Sequence, residues 1–354
     1  MSSRNRMLRA LGGKLPDRVP IALGCFPMAL PQIPSHDPDE YFKTDVRYVS
    51  FEPLHEEEGF LNYLRGLPKD VHIGGISTLR TYWEWGYRPE TPNAEPLAEA
   101  RTLEELKLPS LSKISDSSRS RMLSEKVHNY QKKGLAVAGV PPHLGGDIFE
   151  TAWRLRGFRQ FQLDLRRNRE LVHYLLDQIT AMLVLNSLFL VFAGIDVLCL
   201  DDDLGTPTSM IINPTIWREF IKPRLALTIQ LAKQAKPEII VLYHSDGYIE
   251  PIIPELIEIG VNVLNPLQPD VMDPRKLKDE YGNRVAFWGA VGTQILWAWG
   301  GPKDIEEEVK LRIETMGKGG GFIISPAYDI DLPGISFENI IAFVKSARKF
   351  GNTS

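Results

Sequence analysis

The stretch EIIVLYHSDGYIEPIIPELIEIGVNVLNP, from Glu238 to Pro266, holds one complete structural unit. An apolar run stops at a glycine turn, a helical segment with prolines near its start follows, and a second apolar run closes the unit. The first run, EIIVLYHSDG (238–247), is apolar on successive positions, not on alternate ones. A strand that is apolar on both faces is buried on both, which is the condition of a parallel sheet covered by helices. The run ends on His244, Ser245 and Asp246 before Gly247, so two titratable groups stand at one rim of the expected sheet.

The same rhythm extends along the chain. VPIALG (19–24), GLAVAGVPP (134–142), IDVLCLDDD (195–203), GVNVLNP (260–266), RVAFWGAVG (284–292) and GGFIISPAYD (320–329) are apolar runs ending at turn residues, with helical segments between them. With 238–247 they make seven. The eighth is ambiguous between VRYVSFE (46–52) and VHIGG (71–75). Eight such units predict a (β/α)8 TIM barrel, an α/β fold, in preference to an open doubly wound sheet. The 354 residues are read as one barrel domain, 1–354, because barrels of this type exceed the usual single-domain length. An irregular excursion is expected around residues 70–130, with TYWEWGYRPETP (81–92) lying over the barrel mouth. No GxGxxG or Walker sequence opens a helix after an early strand. The glycines of MGKGGGF (316–322) precede a strand, as a helix stop and tight turn would.

The net charge of −4 provides no basic patch for a nucleic-acid backbone. Two cysteines, Cys25 and Cys199, cannot build a disulfide framework, which suits a reducing cytoplasm. The N-terminal segment lacks the apolar core of a signal peptide. The longest apolar run, MLVLNSLFLVFAGIDVLCL (182–200), is interrupted by polar residues and Gly194. It is read as a buried helix leading into a buried strand and not as a membrane span.

In a barrel, chemistry sits at the C-terminal ends of the strands. Those ends carry Cys25 and Phe26, His143, Asp201-Asp202-Asp203, His244 and Asp246, Asn265 with Gln268, Trp288, and finally Tyr328-Asp329. Several carboxylates crowded on an apolar core require a cation or shared protons. The candidate metal ligands are His244, Asp246 and Asp203. His244, Asp203, Tyr328 and Asp329 are the candidate catalytic groups. Cys25, Phe26, His143, Asn265, Gln268 and Trp288 are the candidate substrate contacts. Each also has a plain structural reading: Asp246 as an Asx-turn residue before Gly247, one of the three successive aspartates as a cap or turn residue (Asp203 being the first choice for the pocket and Asp202 the second), Cys25 as an apolar filler.

Four segments carry a resemblance. RNRMLRALGGKLPDRVPI (4–21), DDDLGTPTSMIINPTIWREFIKPRL (201–225), YHSDGYIEPIIPELIEIGVNVLNPLQP (243–269) and KGGGFIISPAYDID (318–331) resemble the uroporphyrinogen decarboxylase superfamily. The resemblance implies a (β/α)8 barrel. It also implies either cofactor-free decarboxylation of porphyrinogens or methyl transfer with corrinoid proteins, the latter usually through a catalytic zinc. The decarboxylases carry an arginine-rich loop after the first strand, whereas GCFPMALPQIPSHDPDE (24–40) has no arginine. An acidic rim also repels a polyanion, each close pair costing about 1–4 kcal/mol. The methyltransferases present a His-x-Cys zinc pair at the end of the fifth strand, and the matching positions here read His244-Ser245-Asp246. The resemblance therefore implies a methyltransferase that moves a methyl group from a small methylated molecule, a methoxylated aromatic being one candidate. The acceptor would be the cobalamin-type corrinoid of a partner protein. Phe26 and Trp288 would hold the substrate ring, and a homodimer is compatible. A carboxy-lyase acting on another substrate and a non-catalytic ligand-binding barrel stay open as alternatives.

Overall fold

The structure is a computed structural model of the chain. It describes residues 1–24, 30, 32–33, 37–51, 57–67, 76–88, 95–109, 111, 117–292, 294–331 and 334–352. Seven parallel strands form one sheet in sequence order: β1 (Val46–Val49), β2 (Ala136–Gly139), β3 (Val197–Asp201), β4 (Ile240–His244), β5 (Val263–Asn265), β6 (Ala286–Val291) and β7 (Phe322–Pro326). The segment VPIALG forms no ladder of its own, yet it closes the ring. On one side the Ala22 N–H donates to the Ile324 carbonyl and the Ile324 N–H to the Pro20 carbonyl, both at 3.0 Å. On the other side the Asp45 N–H donates to the Ile21 carbonyl at 3.0 Å. The fold is an α/β TIM barrel. The ambiguity over the eighth unit resolves at Val46–Val49, while VHIGG lies outside the described residues.

Alternation along each strand splits the buried residues into two sets. Val46, Ala136, Ala138, Val197, Cys199, Leu242, Val263, Ala286, Trp288 and Ile323 fill the barrel interior. The N-terminal helix Ser3–Leu11 joins them through Met7, Ala10 and Leu11 and plugs the floor. Val137, Leu198, Leu200, Val241, Tyr243, Leu264, Phe287 and Phe322 face outwards into the helical layer. Helix Arg169–Phe192 is long and apolar enough to cross a membrane, and 56% of its most apolar stretch is buried in the protein. As the sequence pattern indicates, it leads into a fully buried strand, β3.

The excursion around 70–130 is more regular than its composition suggests. Helices Ile76–Glu84 and Ser117–Lys132 fall within it. In SSRSRMLSEKVHNYQK only Leu123 and Val127 are buried apolar positions, four apart. Tertiary packing of that narrow stripe holds the helix, where propensity and pattern are weak.

At the top of β6, Gly289 has φ +139°, and a Cβ there would lie 1.8 Å from the Pro266 carbonyl oxygen. That carbonyl accepts from the Ala290 N–H at 2.9 Å, so the two strand ends are locked together. Gly289→Ala is expected to cost about 2–3 kcal/mol from backbone strain and overpacking, read as a lowered thermal midpoint. An unchanged midpoint would show that β5 and β6 do not approach this closely.

Candidate functional site

Register builds the site. Asp201 pairs with His244 across β3–β4, and His244 with Asn265 across β4–β5. Each lies two residues beyond an interior side chain (Cys199, Leu242 and Val263), so all three face inwards in one layer above the apolar filling. His244 Nδ1 lies 2.5 Å from Asn265 Oδ1, and Asn265 Nδ2 donates to the Trp288 carbonyl at 2.7 Å. A carbonyl only accepts, so the amide must turn its NH2 to Trp288 and its oxygen to His244. The imidazole then donates from Nδ1 and turns Nε2 to the mouth. Nε2 is 3.7 Å from Asp203 Oδ1. Ligand atoms of Asp201, Asp203 and His244 all lie within 4.8 Å of one another.

The neighbouring aspartates divide the work. Asp202 accepts from the Ile148 N–H at 3.1 Å and the Glu150 N–H at 3.0 Å, capping helix Phe149–Arg156 from behind β3. Asp203 turns to the mouth, where its Oδ1 also accepts from the Asp246 N–H at 2.7 Å. The Gly247 N–H donates to Gln268 Oε1 at 2.8 Å, so Gln268 buttresses the turn after β4. Gly247 has φ +76° and packs on the backbone of Gly205, tying the β3 and β4 loops together.

Two acids came from a segment that sequence reasoning passed over. Asp147 and Asp201 clasp each other through the main chain, each N–H reaching the other residue: Asp147 N to Asp201 O at 2.5 Å, Asp201 N to Asp147 Oδ2 at 2.8 Å. Glu150, on the first turn of the following helix, is buried beside Asp203 and 3.6 Å from Arg154. The run GGDIFE after His143 matches no motif, and only the barrel brings it over β3.

Burial dominates the electrostatics. It raises the carboxyls of Asp147 and Asp201 well above the usual range, helped by the neighbouring acids. Glu150 is pushed up to about 8 by burial and by Asp203, with Arg154 opposing. Burial also lifts Asp246 to about 6, while His244 pulls it down. For His244, burial opposes the charge but Asp246, Asp203, the bond to Asn265 and Asp329 outweigh it, so the imidazole is raised. Burial and the cations His244 and Arg154 pull His143 down to about 4, leaving it neutral near 3.7 Å from Asp201.

The other candidates are spread more widely. Trp288 is fully buried, and its indole N–H donates to the Gly24 carbonyl at 2.9 Å, which also accepts from the Tyr48 hydroxyl at 2.6 Å. Tyr328 is half-buried on the rim, and Asp329 beside it is exposed. The Asp246 carboxyl is not among the three clustered ligand groups. Cys25 and Phe26 lie outside the described residues. Cys199 is buried in the barrel interior.

The profile of the uroporphyrinogen decarboxylase (URO-D) family matches residues 144–350, more than half of the chain. The chain belongs to the uroporphyrinogen decarboxylase family. The match takes in β3 to β7 and thus Asp147, Asp201–Asp203, His244 and Asn265 of this family member's mouth. Among solved structures, a methyltransferase from Methanosarcina mazei aligns over 99% of both chains, with a TM-score of 0.66 and 17% identity. At that identity the likeness shows the fold. An endo-beta-1,4-xylanase from Gloeophyllum trabeum aligns over 66% of this chain and 80% of its own, with a TM-score of 0.41 and 7% identity, and adds nothing to the argument. No curated protein sequence matches the chain.

Proposed function

We propose that this family member is a methyltransferase that moves a methyl group from a small methylated molecule, of which a methoxylated aromatic is the leading candidate, to a corrinoid on a partner protein. The observation that carries the reading is the inward layer of Asp201, His244 and Asn265, with His244 Nε2 turned to Asp203. The described mouth presents acidic side chains (Glu150, Asp201, Asp203, Asp246), where a polyanionic porphyrinogen needs cations.

Zinc, which the methyltransferase branch uses, fits the donor set. Asp201 Oδ1 is buried without a hydrogen-bond partner among the described residues, and His244 and Asp203 stand beside it. His244, Asp203 and Asp201 would hold the ion, which would supply Lewis acidity to polarise the bond between the methyl carbon and its heteroatom. The protein's own contribution is a proton. When the carbon–heteroatom bond breaks, the electron pair stays on the heteroatom, the methyl group leaves for the acceptor, and the heteroatom takes a proton. Glu150, raised to about 8, holds a proton for that leaving group at neutral pH, and Asp246, raised to about 6, does so in mild acid. Tyr328 and Asp329 extend this acid supply to the rim.

A second reading, a carboxy-lyase of another substrate, draws on the protonated forms of Asp147 and Asp201, which suit acid catalysis without a metal. One experiment separates them. Purified protein is incubated with a panel of methoxylated aromatics and free cob(I)alamin, following methylcobalamin by its absorbance and headspace CO2 in parallel. Methylcobalamin formation is expected. CO2 release with no methylcobalamin would replace the first reading with the second.

A further inference from the structure

The resemblance pairs His244 with Asp246 as the metal ligands, because they occupy the two ends of the family's His-x-Cys spacing. The geometry points to a different set. We infer that the site takes one divalent cation on His244 Nε2, Asp203 and Asp201, with no thiolate, with Asp246 outside the ligand set, and with Asn265 fixing the imidazole. The inference rests on the methyltransferase reading for the choice of leaving group and deepens it by setting Asp246 outside the ligand set and Asn265 behind the imidazole.

The first is the clustering: the ligand atoms of Asp201, Asp203 and His244 lie within 4.8 Å of one another, and His244 Nε2 is 3.7 Å from Asp203 Oδ1. Donors about 2.1 Å from a tetrahedral ion stand roughly 3.4 Å apart, so a contraction of about 1 Å closes the set. Asp203 can supply that movement, because its side chain is 39% exposed and follows β3 on a turn. The second is an orphaned atom. Asp201 is 5% exposed, and its Oδ1 has no hydrogen-bond partner among the described residues. A buried carboxylate oxygen left so is costly unless a cation or proton meets it. The third is orientation. The Asn265 amide, held by the Trp288 carbonyl, takes the Nδ1–H and so turns Nε2 towards the two aspartates, which is how a ligand histidine is fixed by the group behind it. The position of Asp246 argues the other way for that residue: its backbone N–H is bonded to Asp203 Oδ1, and its carboxyl is outside the cluster.

One imidazole and two carboxylates form a harder site than one built with thiolates. Such a site favours an oxygen leaving group, hence a methyl ether, over a thioether.

The test uses the full-length protein loaded with Co2+ and, separately, with Zn2+. The wild type is expected to hold about one ion per chain after dialysis, as metal analysis reads it. Its cobalt form is expected to show visible d–d bands and no thiolate charge-transfer band in the near ultraviolet. Asp201→Asn and Asp203→Asn are expected to weaken metal binding by at least about 100-fold, and Asp246→Asn to leave stoichiometry and spectrum unchanged. Asn265→Leu is expected to weaken binding by about 10–100-fold, with Asn265→Asp restoring part of it, because a carboxylate still accepts from Nδ1. Circular dichroism separates misfolded variants, and the wild-type cobalt spectrum tests the thiolate-free set with no variant at all. No metal in the wild type, a thiolate band, or loss of the ion in Asp246→Asn but not in Asp201→Asn would each overturn the inference. No step of the test needs a methyl donor. Metal behaviour as expected without methyl transfer would retire the functional reading and leave the ligand set standing; methyl transfer with no bound metal would do the reverse.

Discussion

His244→Gln is expected to lower methyl transfer by a factor of about 10²–10⁴ while leaving the fold intact. The residue ends β4 and faces inwards, flanked by Asp201 on one neighbouring strand and Asn265 on the other, and turns its Nε2 to the mouth. Glutamine keeps much of the volume and a hydrogen bond towards Asn265, yet its amide neither binds a cation strongly nor moves a proton near neutral pH. The measurement is the initial rate of methylcobalamin formation at saturating methyl donor, with the thermal midpoint of each protein as control. A rate within threefold of wild type would remove His244 from the chemistry. It would shift attention to Glu150 and Asp246, the other mouth groups that change protonation near neutrality.

Removal of Asp45 is expected to have the largest effect on stability. Its carboxylate is fully buried and accepts from Arg6 Nη1 at 2.8 Å, from Arg18 Nη1 at 2.7 Å and Nη2 at 2.9 Å, and from the Ile21 N–H at 2.9 Å. Its own N–H bonds to the Ile21 carbonyl. One residue therefore holds the closing segment, the N-terminal helix and the start of β1 together. Asp45→Ala leaves Arg18 without that carboxylate and Arg6 with Asp17 and the Met1 carbonyl, beside a buried N–H that has lost its acceptor. Deleting one partner of a buried ion pair costs about 3–5 kcal/mol. A large fall in the urea midpoint is expected, with Asp45→Asn in between because it keeps one acceptor oxygen. Wild-type stability in Asp45→Ala would mean that the seven-stranded sheet holds without the closing segment.

Burial pattern and spacing made most of the barrel readable. Short runs apolar on successive positions and closed by turn residues fit doubly covered strands, and six of the seven runs became ladder strands. VPIALG departs from the expectation in kind, not in place: it makes two main-chain hydrogen bonds to β7 and one to Asp45, because Pro20 has no N–H for a ladder and the Asp45 carboxylate takes the Ile21 N–H. Helix Ser117–Lys132 was illegible because two buried positions in sixteen residues give almost no periodic signal.

The site was legible only in part. A sequence shows which side chains end a strand, and it named His244, Asp203 and Asn265. It cannot show which of three successive aspartates faces inwards, since that depends on register against neighbouring strands. Cys199 faces the interior, so the two-residue period puts Asp201 there as well; Asp202 turns outwards to cap a helix, and Asp203 comes round on the turn. Nor could spacing reveal Asp147 and Glu150, which lie more than fifty positions from the aspartates they meet and are brought there by the parallel crossover. The sequence by itself determined the barrel and the rim on which its chemistry sits, because hydrophobic burial is written locally, residue by residue. Only the tertiary structure decided which acids meet His244, because a carboxylate's partner is set by strand register and loop closure between segments far apart in the chain.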